Sequence, residues 1–298
     1  MDTTVGAAVR ALRARLAAAG VPTPDVDAAL LVGAVLGWSR SDLVLRAREP
    51  LPPAAAERLE ALAARRAARE PLQLLLGSVG FRHLDLEVRP GVFVPRPETE
   101  VLVEQALARV PPGGVVVEPC TGSGAVAVAV AAESAAGTVV ATDTSPAAVA
   151  LARANARRAG VDVTVLHGDL FAPLDPALQG RVDVVVSNPP YLAADELAGL
   201  EPEVTEWDPP AALVAGPTGH EVVDRITAEA PRWLRPGGWL LLEVADVRGA
   251  ATAERLRRAG FSAARVLPDL AGRPRVVEAQ LPPPAPGRPA AGTAAVPR

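Results

Sequence analysis

The stretch "GVVVEPCTGSGAVAVAVAAESAAGTVVATD", residues 114–143, decides the fold. It opens on a valine run, breaks at a glycine-rich loop, continues through an Ala/Val segment and closes on a second valine run ending at Asp143. Near-continuous valine is what a strand covered on both faces requires. Between the two runs, Gly124 to about Glu133 reads as a helix. Strand, loop, helix and strand in that order are the repeating unit of a doubly wound parallel sheet. Gly122 and Gly124 let backbone approach a ligand closely, and a helix N-terminus follows them. The loop lacks the Gly-Lys-Ser/Thr ending of a P-loop and the spacing of G-x-G-x-x-G. Thr121 stands where a nucleophile elbow centred on Ser123 needs glycine. Taken alone, the loop fits a ligand cradle and a plain tight turn equally well.

The alternation continues downstream. A helix over 146–159 leads to "DVTVLHGD" (162–169), then to "RVDVVVSN" (181–188) and "GGWLLLEV" (237–244). A helix through Leu256 follows, and "SAARVLPD" with "PRVVEAQL" (262–269 and 274–281) pair as a terminal hairpin. Upstream, residues 1–75 read as a helical bundle. Val5, Val9, Leu12 and Leu16 recur at helical spacing before Gly20, a second helix covers 25–36, Ser41 caps a short third, and 52–70 begins with proline and ends Arg-rich. "FRHLDLEV" (81–88) alternates like one strand and "GVFVPRPETEVLVEQAL" (91–107) adds a second short strand, after which Pro97, Glu98 and Glu100 open a helix. The expected domains are thus a helical unit over 1–75, a hairpin linker over 76–97 and an α/β unit over 98–281. The tail from 282 to 298 cannot build a core and is expected to be disordered.

Composition narrows the classes. With 298 residues and 49% hydrophobic content the chain can fill a core, although aromatics at 3% leave the packing to Leu, Val and Ala. A net charge of −4 argues against a general nucleic-acid binder. One cysteine, Cys120, excludes an internal disulfide and suits a reducing compartment. The first residues lack a signal-peptide pattern and no apolar run approaches a membrane span, so a soluble cytoplasmic protein is expected, and a monomer. His83, His167 and His220 lie far apart without ligand spacing, so no metal site is expected.

Ligands of open α/β sheets bind at the carboxyl ends of the strands. Four successive ends carry unusual residues: Glu118 with the loop Cys120–Gly124, Asp143, Asp169, and Asn188–Tyr191. A carboxylate about twenty residues after a glycine loop can accept both ribose hydroxyls of an adenosine cofactor, the role expected of Asp143, with Asp169 toward the adenine. A nicotinamide cofactor would fit these features almost as well; "SNPPY" (187–191) tips the balance. Tyr191 is the sole tyrosine and Asn188 one of two asparagines. Asn188 Oδ1 and the Pro189 carbonyl could accept both N–H groups of a planar nitrogen and aim its lone pair at an electrophile. The fixed φ of Pro189 and Pro190 stiffens that segment, and Tyr191 packs on the planar group.

This tetrapeptide resembles the N/D-P-P-Y signature of methyltransferases that use S-adenosylmethionine to modify planar nitrogens. With "GVFVPRPETEVLVEQAL", "LEPEVTEWDPPAAL", "RWLRPGG" and "DLAGRPRVV", residues 70–280 resemble the PrmC/HemK family of protein-(glutamine-N5) methyltransferases. The resemblance implies a class I, Rossmann-like methyltransferase sheet behind a helical domain that docks the protein substrate. It implies methyl transfer to the glutamine of the Gly-Gly-Gln motif of class 1 peptide chain release factors, in translation termination. Asn188, Pro189, Pro190 and Tyr191 would hold that glutamine and Phe93 would wall its pocket. Glu118, Cys120, Thr121, Gly122, Ser123, Gly124, Asp143, Asp169, Leu170 and Asn188 would contact the cofactor. Two stretches depart from the family pattern. Glu118-Pro119-Cys120 stands in place of Asp-Leu-Gly, and "LEVADVRG" replaces the usual Glu-(Ile/His)-Gly run. An adenine-N6 methyltransferase on DNA or RNA is the alternative, and it needs a basic target-recognition domain. An inactive cofactor-binding partner subunit is a third. The acidic run Glu201, Glu203, Glu206 and Asp208 reads as a solvated loop that could border the substrate entrance.

Overall fold

A computed structural model describes residues 3–283. The chain forms two compact units. The first comprises residues 1–95 together with 195–212, and the second comprises 96–194 with 213 onward. The expected tail lies, from residue 284, outside the described residues.

In the first unit α1 (Val5–Ala18) starts at Thr4, whose hydroxyl accepts from the Ala7 N–H at 3.3 Å. Val5, Ala8, Leu12 and Leu16 form its buried stripe. The second helix, α2 (Pro24–Leu36), buries Leu31 and Val32 against that stripe and stops at Gly37 in the left-handed region. Next comes α3 (Arg40–Leu45), capped by Ser39 rather than by Ser41. Ser39 has the extended backbone a cap needs, and its hydroxyl and N–H exchange hydrogen bonds with Asp42 three residues on. Helices α4 (Pro53–Ala67) and α5 (Leu72–Leu76) complete the bundle, with Leu59 and Leu72 in the same core.

A hairpin follows α5 within the first unit, in a register other than the expected one. Strands β1 (Ser78–Phe81) and β2 (Leu84–Glu87) pair antiparallel, so "FRHLDLEV" contains the turn instead of forming one strand. Arg82 takes φ 52 at that turn. Residues 91–95 form no strand, because the Val94 N–H is spent on the Asp208 carboxylate at 3.3 Å instead of a ladder partner.

The second unit opens with α6 (Thr99–Leu107) and proceeds through β3 (Val115–Pro119), α7 (Ala125–Glu133), β4 (Thr138–Asp143), α8 (Pro146–Ala159) and β5 (Thr164–His167). It continues with β6 (Val182–Ser187) and the short β7 (Leu192–Ala193). Residues 195–212 then rejoin the first unit. They include α9 (Pro202–Thr205), and α10 (Pro210–Leu213) crosses back into the second. The chain finishes with β8 (Val214–Gly216), α11 (Glu221–Trp233), β9 (Leu234–Glu243), α12 (Gly249–Arg258), β10 (Ser262–Pro268) and β11 (Pro274–Gln280).

The main sheet has the order β10-β11-β9-β6-β3-β4-β5. The five strands from β9 to β5 run parallel, and β11 pairs antiparallel with β9 as the outer hairpin folds back. The chain builds β3, β4 and β5 outward on one side, then crosses to β6 and β9 on the other. That reversal leaves a crevice at the carboxyl ends of β3 and β6, where open α/β sheets bind their ligands. Val116, Val117, Val184, Val185 and Val186 are fully buried in the central strands.

The insertion over 195–212 is not the solvated loop expected from its charge. Glu203 Oε1 accepts from Arg66 Nη2 at 2.9 Å and from Arg69 Nε at 2.7 Å, and Arg69 Nη2 also reaches Glu201 at 2.6 Å. Arg66, 4% exposed, also pairs through Nε with Asp27 at 2.7 Å and donates to the Glu70 carbonyl at 3.0 Å. Four groups thus surround one buried guanidinium and its neighbour, the satisfied condition a buried charge needs.

Candidate active site

The glycine-rich loop closes β3 with three positive φ angles in five residues: Cys120 at 60°, Gly122 at 55° and Gly124 at 81°. Every turn of it is braced. Glu118 points into the loop, where Oε2 accepts from Thr121 Oγ1 at 2.6 Å and from the Ala127 N–H in the first turn of α7 at 2.9 Å. Burial pushes its carboxyl up to about 8, against the lowering effect of those two hydrogen bonds. Asp143, at the end of β4, accepts from the Gly122 N–H through Oδ2 at 2.8 Å and from the Ser145 N–H through Oδ1 at 2.8 Å. Thr142 Oγ1 donates to the Leu170 carbonyl at 2.6 Å, so the segment after β5 is tied to β4. Asp169 itself pairs with Arg225 on α11 at 2.5 Å.

Two residues that sequence reasoning left without a role carry part of this frame. Asn155 on α8 is fully buried and donates through Nδ2 to the Ser123 carbonyl at 2.9 Å. Ser187 Oγ donates to the Pro119 carbonyl at 2.7 Å and joins the end of β6 to the end of β3. The scarcity argument applied to Asn188 holds equally for Asn155, the other asparagine, so that signal could have found it.

Gly122 and Gly124 use their missing side chains differently. A Cβ on Gly124 would come within 2.9 Å of Ala152 Cβ and 3.0 Å of Ala152 Cα, so this glycine lets α8 lie against the loop. A Cβ on Gly122 would meet nothing within 4 Å. Space for a ligand therefore opens at Gly122. There the Asp143 carboxylate, each oxygen carrying one N–H bond, keeps about two of its roughly four acceptor positions free for a ribose diol. The Cys120 thiol is pushed up to about 12 by burial and by the neighbouring carboxylates, which makes it a poor nucleophile and a packing residue.

Asn188 follows β6 directly, and its Nδ2 donates to Thr99 Oγ1 at 3.2 Å. Thr99 is buried at the start of α6, within the "PRPETE" segment that the family resemblance singled out without a role for this hydroxyl. Pro189 is buried and Tyr191 half-buried, and burial raises the Tyr191 hydroxyl above its ordinary value. Leu192–Ala193 pairs with Val214–Gly216 as a two-stranded parallel sheet, which anchors the segment on its far side. The structure thus gathers Glu118–Gly124, Asp143, Leu170 and Asn188–Tyr191 along one sheet edge. Phe93, expected to wall the substrate pocket, belongs to the first unit. Among the described residues no group of three or more His, Cys, Asp or Glu could hold a metal ion, and no helix is long and apolar enough to cross a membrane.

Order of strands, the loop after β3 and the Asn-Pro-Pro-Tyr turn after β6 together define a class I methyltransferase. A methyltransferase from Pyrococcus furiosus has this fold, with a TM-score of 0.52 at 20% identity over 76% of this chain and 99% of its own. The 16S rRNA N2 G1207 methyltransferase RsmC of T. thermophilus, solved with AdoMet and guanosine, does too, with a TM-score of 0.51 at 21% identity over 68% of this chain and 49% of its own. Residues 7–77 match the PrmC N-terminal domain and residues 84–200 the methyltransferase small domain. The release factor glutamine methyltransferase of Mycolicibacterium smegmatis is 48% identical over 93% of this chain and 98% of its own. The chain belongs to the release factor glutamine methyltransferases.

Proposed function

We propose that this protein transfers a methyl group from S-adenosylmethionine to the side-chain amide nitrogen of the glutamine in the Gly-Gly-Gln motif of class 1 release factors, in the cytoplasm. The observation that carries this reading is the placement of Asn188 and Pro189 at the end of β6, tied through Ser187 to the end of β3 beside the open glycine loop. The bound cofactor supplies an electrophilic methyl group. Loop residues Thr121–Gly124 and Asp143 would hold it, with Leu170 bordering the adenine side.

An amide nitrogen is a weak nucleophile because its lone pair is delocalised, so the enzyme's contribution is positioning and charge stabilisation. Asn188 directs its Nδ2 donors at Thr99 and Glu243, which leaves Oδ1 for an incoming N–H. The Pro189 carbonyl takes the second N–H, and Tyr191 covers the planar face. As positive charge develops on the nitrogen, these two oxygens stabilise it. No strong base is required, since the alkylated nitrogen sheds its proton readily.

Asn188→Ala should slow transfer by about 10²–10³-fold, the cost of one such oriented group, while calorimetry shows cofactor affinity within about twofold of the parent. Mass spectrometry of a release factor incubated with enzyme and labelled cofactor should place one methyl on the Gly-Gly-Gln glutamine. Methyl found elsewhere on the factor, or on an adenine oligonucleotide instead, overturns the substrate assignment.

A further inference from the structure

A buried carboxylate stands beside the substrate tetrapeptide. Glu243 ends β9, which lies next to β6 in the sheet. The register pairs Ser187 with Leu242, so the next residue on each strand brings Asn188 alongside Glu243. Glu243 is 2% exposed. Its carboxylate accepts hydrogen bonds from the Thr99 hydroxyl and the Asn188 side chain, and Oε2 has no partner among the described residues. A buried acceptor left partly unsatisfied costs about 1–3 kcal/mol, so the site carries a group that packing alone would disfavour. The titratable and charged groups facing it include Arg275 on β11, Glu98 just before α6 and Tyr191, whose hydroxyl Glu243 helps to raise.

The chemistry of an asparagine amide explains why a carboxylate belongs there. Its two ends are nearly the same shape but opposite in polarity, and only the surrounding partners decide which end faces which way. Threonine cannot decide, because its hydroxyl both donates and accepts. An ionised carboxylate can only accept. With Thr99 donating to Glu243 and accepting from Asn188, the chain of bonds has one direction, and Nδ2 must face inward.

Building on the methyl transfer proposed above, we infer that Glu243 is a positioning residue: acting with Thr99, its ionised carboxylate holds the Asn188 amide with Nδ2 inward and Oδ1 presented to the substrate N–H. Burial raises the Glu243 carboxyl to about 7, against the lowering effect of Thr99, Arg275 and Asn188. Protonation makes it a donor able to satisfy Oδ1 and so to reverse the amide. Competence therefore rises as pH rises through about 7, where the carboxyl ionises.

Selective labelling tests this without relying on activity. The chain has two asparagines, so ¹⁵N-asparagine labelling of the full protein yields two side-chain amide signals. The Asn188 signal, assigned by its loss in Asn188→Ala, should shift with a midpoint near pH 7 in the parent and stay constant in Glu243→Gln. In parallel, the parent rate should fall about tenfold per pH unit below the midpoint. Glu243→Gln both donates and accepts, so it leaves the amide's direction undecided and should lower the rate at least about tenfold above pH 7, with the acidic limb gone. Glu243→Asp should restore a limb at a shifted midpoint. An Asn188 signal that ignores pH in the parent overturns the inference, as does a limb that persists in Glu243→Gln. So does a folded Glu243→Gln that binds cofactor normally and keeps the parent's rate above pH 7, because an accept-only group would then be unnecessary. A parent that never methylates release factor, yet shows the titrating signal, would defeat the substrate reading and leave the positioning role standing.

Discussion

The two loop glycines should fail in different ways when each is given a methyl group. Gly124 sits at φ 81° and Gly122 at φ 55°, so Gly124→Ala and Gly122→Ala both incur the left-handed backbone cost of about 1–2 kcal/mol. Gly124→Ala adds an overlap, since its Cβ would lie 2.9 Å from Ala152 Cβ and 3.0 Å from the Ala152 Cα of α8. Backbone cannot swing aside as a side-chain tip can, and forced overpacking costs about 1–3 kcal/mol more. At roughly 2–4 °C per kcal/mol for a domain of this size, thermal unfolding of the second unit should drop by about 4–20 °C in Gly124→Ala. For Gly122→Ala the same conversion yields only about 2–8 °C. Cofactor binding should show the reverse order. The methyl of Gly122→Ala points into the space left open beside Asp143, so calorimetric affinity for S-adenosylmethionine should fall at least tenfold (about 1.4 kcal/mol). Parental affinity in Gly122→Ala, or equal thermal losses in the two variants, would refute the division between a glycine kept for helix packing and one kept for ligand approach.

Removing Arg66 should leave Asp27, 2% exposed, as an uncompensated buried charge, and Arg66→Ala should destabilise the first unit by about 3–5 kcal/mol in urea titrations. Adding Asp27→Asn should recover part of that loss; an additive loss would deny the coupling. Glu118 makes a prediction about pH. Its carboxyl is raised to about 8 when folded against an ordinary value of 4.5, so the folded state holds a proton that unfolding releases between those limits. Stability should therefore be fully present below about pH 4.5 and decline by up to about 1.4 kcal/mol per unit toward pH 8. In Glu118→Gln the part of that decline due to this residue should vanish, and a slope identical to the parent's would show that Glu118 is not the group responsible.

Much of this protein could be read along the chain. Each valine run became a central strand because a parallel sheet buried on both faces favours apolar residues at most positions. The glycine loop and the Asn-Pro-Pro-Tyr turn were legible because their chemistry lies in consecutive residues. Sequence-local rules also account for the terminal hairpin and most helix starts; they failed between Ser39 and Ser41, and at "FRHLDLEV", which holds the turn of a hairpin instead of one strand.

The rest depended on contacts between distant segments. Glu203 looked like part of an acidic surface loop until the fold set it against Arg66, 137 residues away. Asn155 became a brace only because α8 lies on the loop after β3. Thr99 and Glu243 acquired a shared partner in Asn188 because strand order put β9 beside β6 and its register aligned their ends. A motif written in adjacent residues survives in one dimension. The groups that aim it come from three separate segments, and no local preference records which strands will be neighbours or in what register. The sequence by itself determined the sheet and the Asn-Pro-Pro-Tyr turn; the tertiary structure alone decided what holds that turn in place.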